Sequence, residues 1–193
     1  TEDQVARGLA GLFILDDPKS DALALPRTYG VDDVPVIVSD HSFDDDGRFT
    51  DREPFGASGG RYGDELLVNG TWDPHLAVTT ERVRLRLLNA STARSYRFTL
   101  DDTRPFELIA SDGGLLAAPV RTDGVQLSPG ERAEIVVAVE PGERVVLRSD
   151  GVDLGLPGPT NRAEGGDDRF DVLELRAADE LDRAPAVPDR LAD

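Results

Sequence analysis

A chain of 193 residues, 39% hydrophobic and 31% charged, has apolar mass enough for one sizeable core and too much for wholesale disorder. Cysteine is absent, which excludes disulfides, zinc–thiolate sites and cysteine nucleophiles, and no apolar run is long enough to cross a bilayer as a helix. The net charge of −17, from 21 basic and 38 acidic residues, makes nucleic acid and anionic membranes poor partners and argues against membrane insertion.

The acid is mainly aspartate, and Lys19 is the only lysine. A GC-rich genome favours arginine over lysine, and a high-salt habitat favours an acidic surface whose self-repulsion salt screens; both readings stay open. The chain opens Thr1-Glu2-Asp3 with no Met and no basic-then-apolar leader, and so reads as a processed or truncated product.

In chain order, residues 11–15 form a first apolar run, and residues 16–33, with Pro18, Pro26 and several Asp, read as a linker or wrapping loop. Residues 34–38 are rich in β-branched side chains, and 66–68 end at the tight-turn dipeptide Asn69-Gly70. Residues 82–87 alternate strictly, which places Val83, Leu85 and Leu87 on a buried face and Arg82, Arg84 and Arg86 on a wet one. Tyr96, Phe98 and Leu100 repeat the pattern, and 106–110, 125–127, 135–139, 145–147 and 170–175 complete the set. Residues 150–168, with Gly155, Pro157, Gly158, Pro159, Gly165 and Gly166, predict a mobile loop, and the tail from Ala177 predicts a second linker. Many short strands with Gly/Pro punctuation and no sustained helical period predict an all-β Greek-key sandwich or barrel.

Three stretches taken in order resemble the second domain of laccase-like, three-domain multicopper oxidases. Thr1-Glu2-Asp3-Gln4-Val5-Ala6-Arg7-Gly8-Leu9-Ala10-Gly11-Leu12-Phe13-Ile14-Leu15-Asp16-Asp17 is similar to the end of that family's first domain. Tyr29-Gly30-Val31-Asp32-Asp33-Val34-Pro35-Val36-Ile37-Val38-Ser39-Asp40 is similar to the opening strand of domain two. The third and most specific stretch joins Asp64-Glu65-Leu66-Leu67-Val68-Asn69-Gly70, Arg84-Leu85-Arg86-Leu87-Leu88-Asn89-Ala90-Ser91, Ser111-Asp112-Gly113-Gly114 and Ser128-Pro129-Gly130-Glu131-Arg132. Gly113, Gly114 and Gly130 there suit turns that need positive φ.

The resemblance implies a cupredoxin-like domain over 34–176, preceded by the last strand of domain one (1–17) and a linker (18–33), and followed by a linker (177–193). It implies a parent that oxidises phenols, amines or metal ions and reduces dioxygen, is secreted or periplasmic, and binds copper in flanking cupredoxin domains, the partners of this one. Domain two scaffolds those neighbours and holds no cofactor itself; the alternative is the family's copper-free, structural or binding branch. Blue copper needs a Cys thiolate and two His, usually with an axial Met, and a three-copper cluster needs many imidazoles. With no Cys, no Met and only His41 and His75, none of these sites can be assembled from the chain alone.

Other candidates are fewer. His41 and His75, unpaired in spacing, read as surface or loop residues, and Trp72 as a packing anchor beside a turn. The run from Ser42 matches a calcium-loop template at Asp44, Asp46, Gly47 and Glu53, but Ser42 stands where the template wants Asp and a strand precedes it. A metal-free acidic turn is the competing reading. Asn69-Gly70-Thr71 and Asn89-Ala90-Ser91 match the glycosylation pattern, with turn roles for both Asn as the preferred explanation.

Overall fold

The computed structural model describes residues 2–50 and 60–192. Among the described residues, twelve strands make two packed sheets. The larger contains β1 (Asp33–Phe43), β2 (Phe49–Thr50), β3 (Glu65–Val68), β5 (Arg82–Asn89), β7 (Phe106–Ser111), β8 (Gly114–Thr122) and β10 (Arg132–Ala138). Its order is β2-β1-β5-β10-β7-β8, with β3 also on β1. The smaller runs β4 (His75–Thr80), β12 (Phe170–Asp182), β11 (Arg144–Asp150), β6 (Tyr96–Leu100) and β9 (Gly124–Leu127). The β1/β5 and β4/β12 pairs are parallel and the rest antiparallel, so the chain crosses repeatedly between sheets. This is the all-β Greek-key sandwich the alternation predicts.

Period-two alternation drives the packing. Val36 and Val38 of β1, Val83, Leu85 and Leu87 of β5, Ile135 and Val137 of β10 point inward from the larger sheet. Tyr96, Phe98, Leu100, Val145, Leu147 and Leu175 meet them from the smaller. Each such aliphatic or aromatic side chain contributes roughly 1.5–3 kcal/mol by leaving water. Gly114 and Gly130 take the positive φ expected of their turns, at 103° and 84°, whereas Gly113 does not.

Two expectations need correction, those for residues 150–168 and for the tail from Ala177. Residues 11–15 carry no ladder among the described residues, and Phe13 is 89% exposed. The segment ahead of them forms a short helix, α1 (Glu2–Ala6). Residues 18–33 take the wrapping form of the two expected. They form α2 (Pro18–Asp21), whose first N–H groups donate to the Asp17 carboxylate at 2.9 and 3.2 Å, and then cross the outer face of the larger sheet. There Leu25 joins Ile109, Val136 and Leu191 in a second apolar cluster. The tail is likewise anchored: β12 runs on to Asp182, and the Leu191 N–H donates to the Ala117 carbonyl at 2.9 Å. Finally, residues 150–168 hold a helix, α3 (Gly158–Ala163), fixed by Asn161, whose amide oxygen accepts the Leu154 N–H at 2.9 Å.

Strands β2, β4 and β8 had no counterpart in the sequence pattern. β8 is an edge strand, mostly exposed, and carries Pro119, a residue that weakens a strand signal and is tolerated at an edge.

Candidate functional site

The inward series of β1 reads Val34, Val36, Val38, Asp40, so the pleat carries a carboxylate into the sandwich. A buried charge persists only when paired and hydrogen-bonded, and the partner is Arg94 from the β5–β6 loop. Arg94 Nε donates to Asp40 Oδ2 at 2.8 Å, with side-chain exposures of 4% and 1%. Its remaining nitrogens reach the Gly63 carbonyl at 2.9 Å and the Asp168 carboxylate. The guanidinium also lies 5.4 Å from the Tyr62 ring centre and 5.1 Å from that of Phe170. One side chain thus ties β1, the turn before β3, and the segment entering β12. Gly63 is required at this point, since a β-carbon there would stand 2.2 Å from the His41 backbone nitrogen.

Asn89, fully buried at the end of β5, completes the hub. Its amide donates to the Arg94 and Leu127 carbonyls at 2.8 and 2.9 Å and accepts the Ser91 N–H at 3.0 Å. Ser91 Oγ lies 2.8 Å from Tyr96 Oη and accepts the Asp40 N–H at 3.2 Å. Burial works against the charge on Arg94, but Asp40 and Asp168 outweigh it and raise its pKa. Tyr62 is pushed up to about 12 by burial and its bond to Glu164, and Tyr96 goes well above its ordinary value, chiefly by burial. These groups are held in one protonation state around neutral pH, which suits structural cross-linking rather than proton transfer.

A second ionic cluster lies on the opposite face of the larger sheet. Arg86 donates twice to Asp33, at 2.6 and 2.7 Å, and once to Glu134 at 2.8 Å; Arg84 Nε donates to Glu134 at 2.7 Å. The alternation correctly puts these arginines opposite the core, but the face is not wet. The 15–28 segment and the tail line a groove over it, and Arg84 is buried.

The other sequence candidates fall elsewhere. His41 is a buried β1 residue rather than a surface one: it bonds Ser39 Oγ at 2.9 Å, bonds the Ala6 carbonyl, and stacks 4.7 Å from Phe49. Burial lowers its pKa despite the opposing Asp40 charge and Ala6 bond. His75 is exposed on β4, in the other sheet. With one imidazole engaged on both edges, the other in a separate sheet, and no Cys or Met, the residues present do not fit any copper centre. Trp72 packs 5.2 Å from Phe43, yet is 52% exposed. Asp44 accepts the N–H groups of Asp46 and Arg48 at 3.0 and 2.8 Å, and Asp46 pairs with Arg48, so both carboxylates serve the β1–β2 turn. Glu53 lies outside the described residues. Among the described residues no group of three or more His, Asp or Glu is disposed to hold a metal. Asn69, at φ 51°, binds Pro35 and Ile37 of β1 at 2.9 Å each, and Asn89 is buried, so both have the turn roles expected.

The sequence reading passed over Arg94, Asp40 and Asp168. Arg94 has no local signature. Asp40 does: an acid at an inward position of an alternating strand demands a cation from elsewhere in the fold.

A Greek-key sandwich of two packed sheets, locked by buried polar clusters, is the class of fold these elements define. The family model described as Multicopper oxidase matches residues 32–147, and the chain belongs to that family. It is 49% identical over 144 residues to cell division protein FtsP of Edwardsiella tarda and 46% over 147 residues to that of Escherichia coli. These matches cover 75% and 76% of the chain but only 30% and 31% of the relatives' length. Among solved structures, McoA multicopper oxidase from Aquifex aeolicus superposes on the whole chain with TM-score 0.87 and 33% identity, using 42% of its own length. A laccase from Pediococcus acidilactici covers 92% of the chain, with TM-score 0.74 and 33% identity over 35% of its own. The fold is therefore cupredoxin-like.

Proposed function

We propose that this domain is a copper-free scaffold within a longer, secreted or periplasmic protein, holding flanking cupredoxin domains in register, and that the whole protein acts structurally in cell division. The observation that carries the reading is the chemistry of the chain's own polar groups: its two buried arginine clusters and its buried histidine are all spent on holding segments together. The identity of 46–49% to cell division relatives, against 32–33% to McoA, favours the division role over the oxidase role. The exposed apolar residues Leu9, Phe13 and Leu15, in a segment outside any helix or strand, support contact with a neighbouring domain.

The test is the intact protein, purified after growth with copper. The reading expects no stoichiometric copper, no blue absorbance, no dioxygen-dependent phenol oxidation, and a division defect on deletion. Copper-dependent phenol oxidation with normal division on deletion would establish the oxidase reading instead, which the match to McoA across this chain supports.

A further inference from the structure

Asp40 Oδ2 accepts from Arg94 Nε and from the Gly63 N–H, each at 2.8 Å, but Asp40 Oδ1 is buried without a partner. Thr50 Oγ1, on β2, is buried without one too. Both residues line the same small cavity, of about 60 Å³, alongside His41, Tyr62 and Thr92 and walled on one side by Ala6 and Arg7 at the end of α1. An unsatisfied carboxylate oxygen inside a protein costs roughly 1–3 kcal/mol or more, so two orphaned oxygens on one cavity call for a shared occupant.

Size and charge restrict what that occupant is. Water takes about 30 Å³, so a space of about 60 Å³ matches one or two molecules of that size. The Asp40 carboxylate already carries the Arg94 guanidinium, so a further cation would have to share a charge that is already paired. A neutral molecule that donates two hydrogen bonds and accepts two meets both oxygens without that penalty.

We propose that the cavity is a built site for an ordered internal water that donates to Asp40 Oδ1 and bonds Thr50 Oγ1. The bridge extends the Arg94 hub from β1 into the β1–β2 hairpin, a connection no direct side-chain bond makes among the described residues. Because α1 forms one wall, the residence time of the water reports on whether the N-terminal helix is docked.

Crystals of the chain that resolve single waters, with and without a rubidium soak, test the site directly. The expected result is a water within hydrogen-bond reach of Asp40 Oδ1 and Thr50 Oγ1, with no anomalous rubidium peak there. A rubidium peak, a dry cavity, or an Arg7 or Arg61 guanidinium donating directly to Asp40 Oδ1 would overturn it. In solution, water-to-amide cross-relaxation at the Gly63 N–H should reveal a long-lived water in the wild type and in Thr50→Ser, and lose it in Thr50→Val. A slow water that survives Thr50→Val overturns the bridge.

Discussion

The two arginine clusters use the same chemistry for different ends. Arg84 and Arg86 pair with Asp33 and Glu134 on strands that are already neighbours in one sheet, so the ions reinforce a ladder that backbone hydrogen bonds also hold. Arg94 instead joins parts of the chain that share no ladder: Asp40 lies 54 residues away and Asp168 74. Redundancy makes the first cluster tolerant of loss. The second has no backup, and its carboxylate sits in the core.

The contrast sets an order of expected effects. Arg94→Ala leaves Asp40 buried and unpaired and should cost about 3–5 kcal/mol, read by urea denaturation. A loss below that of Glu134→Ala would abolish the distinction between the clusters. Asn89→Ala strands the Arg94 and Leu127 carbonyls and the Ser91 N–H, and should cost roughly 3 kcal/mol in the same assay. Glu134→Ala leaves Arg84 and Arg86 with Asp33 and an intact ladder, and about 1–2 kcal/mol is expected.

His41 adds a pH dependence. Its folded pKa lies below the ordinary 6.5, so the unfolded chain binds the proton more readily. The stability it supports is full above pH 6.5, falls as pH drops toward the lowered folded value, and is gone below it. His41→Phe should flatten the stability profile in that window; an unchanged slope there would mean that burial does not hold the imidazole neutral. The smallest effect concerns the surface as a whole. With a net charge of −17, the melting temperature should rise from low to molar KCl, and a flat profile would remove the case for a high-salt adaptation.

What the sequence made legible was periodicity. The 82–87 alternation reads directly as a half-buried strand, and Val83, Leu85 and Leu87 are fully buried. What it could not convey was which distant segment would cover the other face, because the cover of Arg84 and Arg86 comes from residues more than fifty positions away at one end and about a hundred at the other. The same holds for His41, whose spacing suggested a loop. Its burial depends on Phe49 across the hairpin and on α1, neither of which leaves a mark beside it. The segment 11–15 shows the reverse case: its composition is strand-like, yet it joins no ladder among the described residues.

The apolar patch that joins Leu25 to Leu191 has a mechanical side. The segment around Leu25 and the tail run onto one outer surface, held there by a handful of aliphatic contacts and the Leu191 hydrogen bond. Tension applied through the tail would load that patch before it reached the β12 ladder, so the tail should peel while the sandwich stays shut. The patch would serve as a fuse between whatever pulls on the tail and the core behind it.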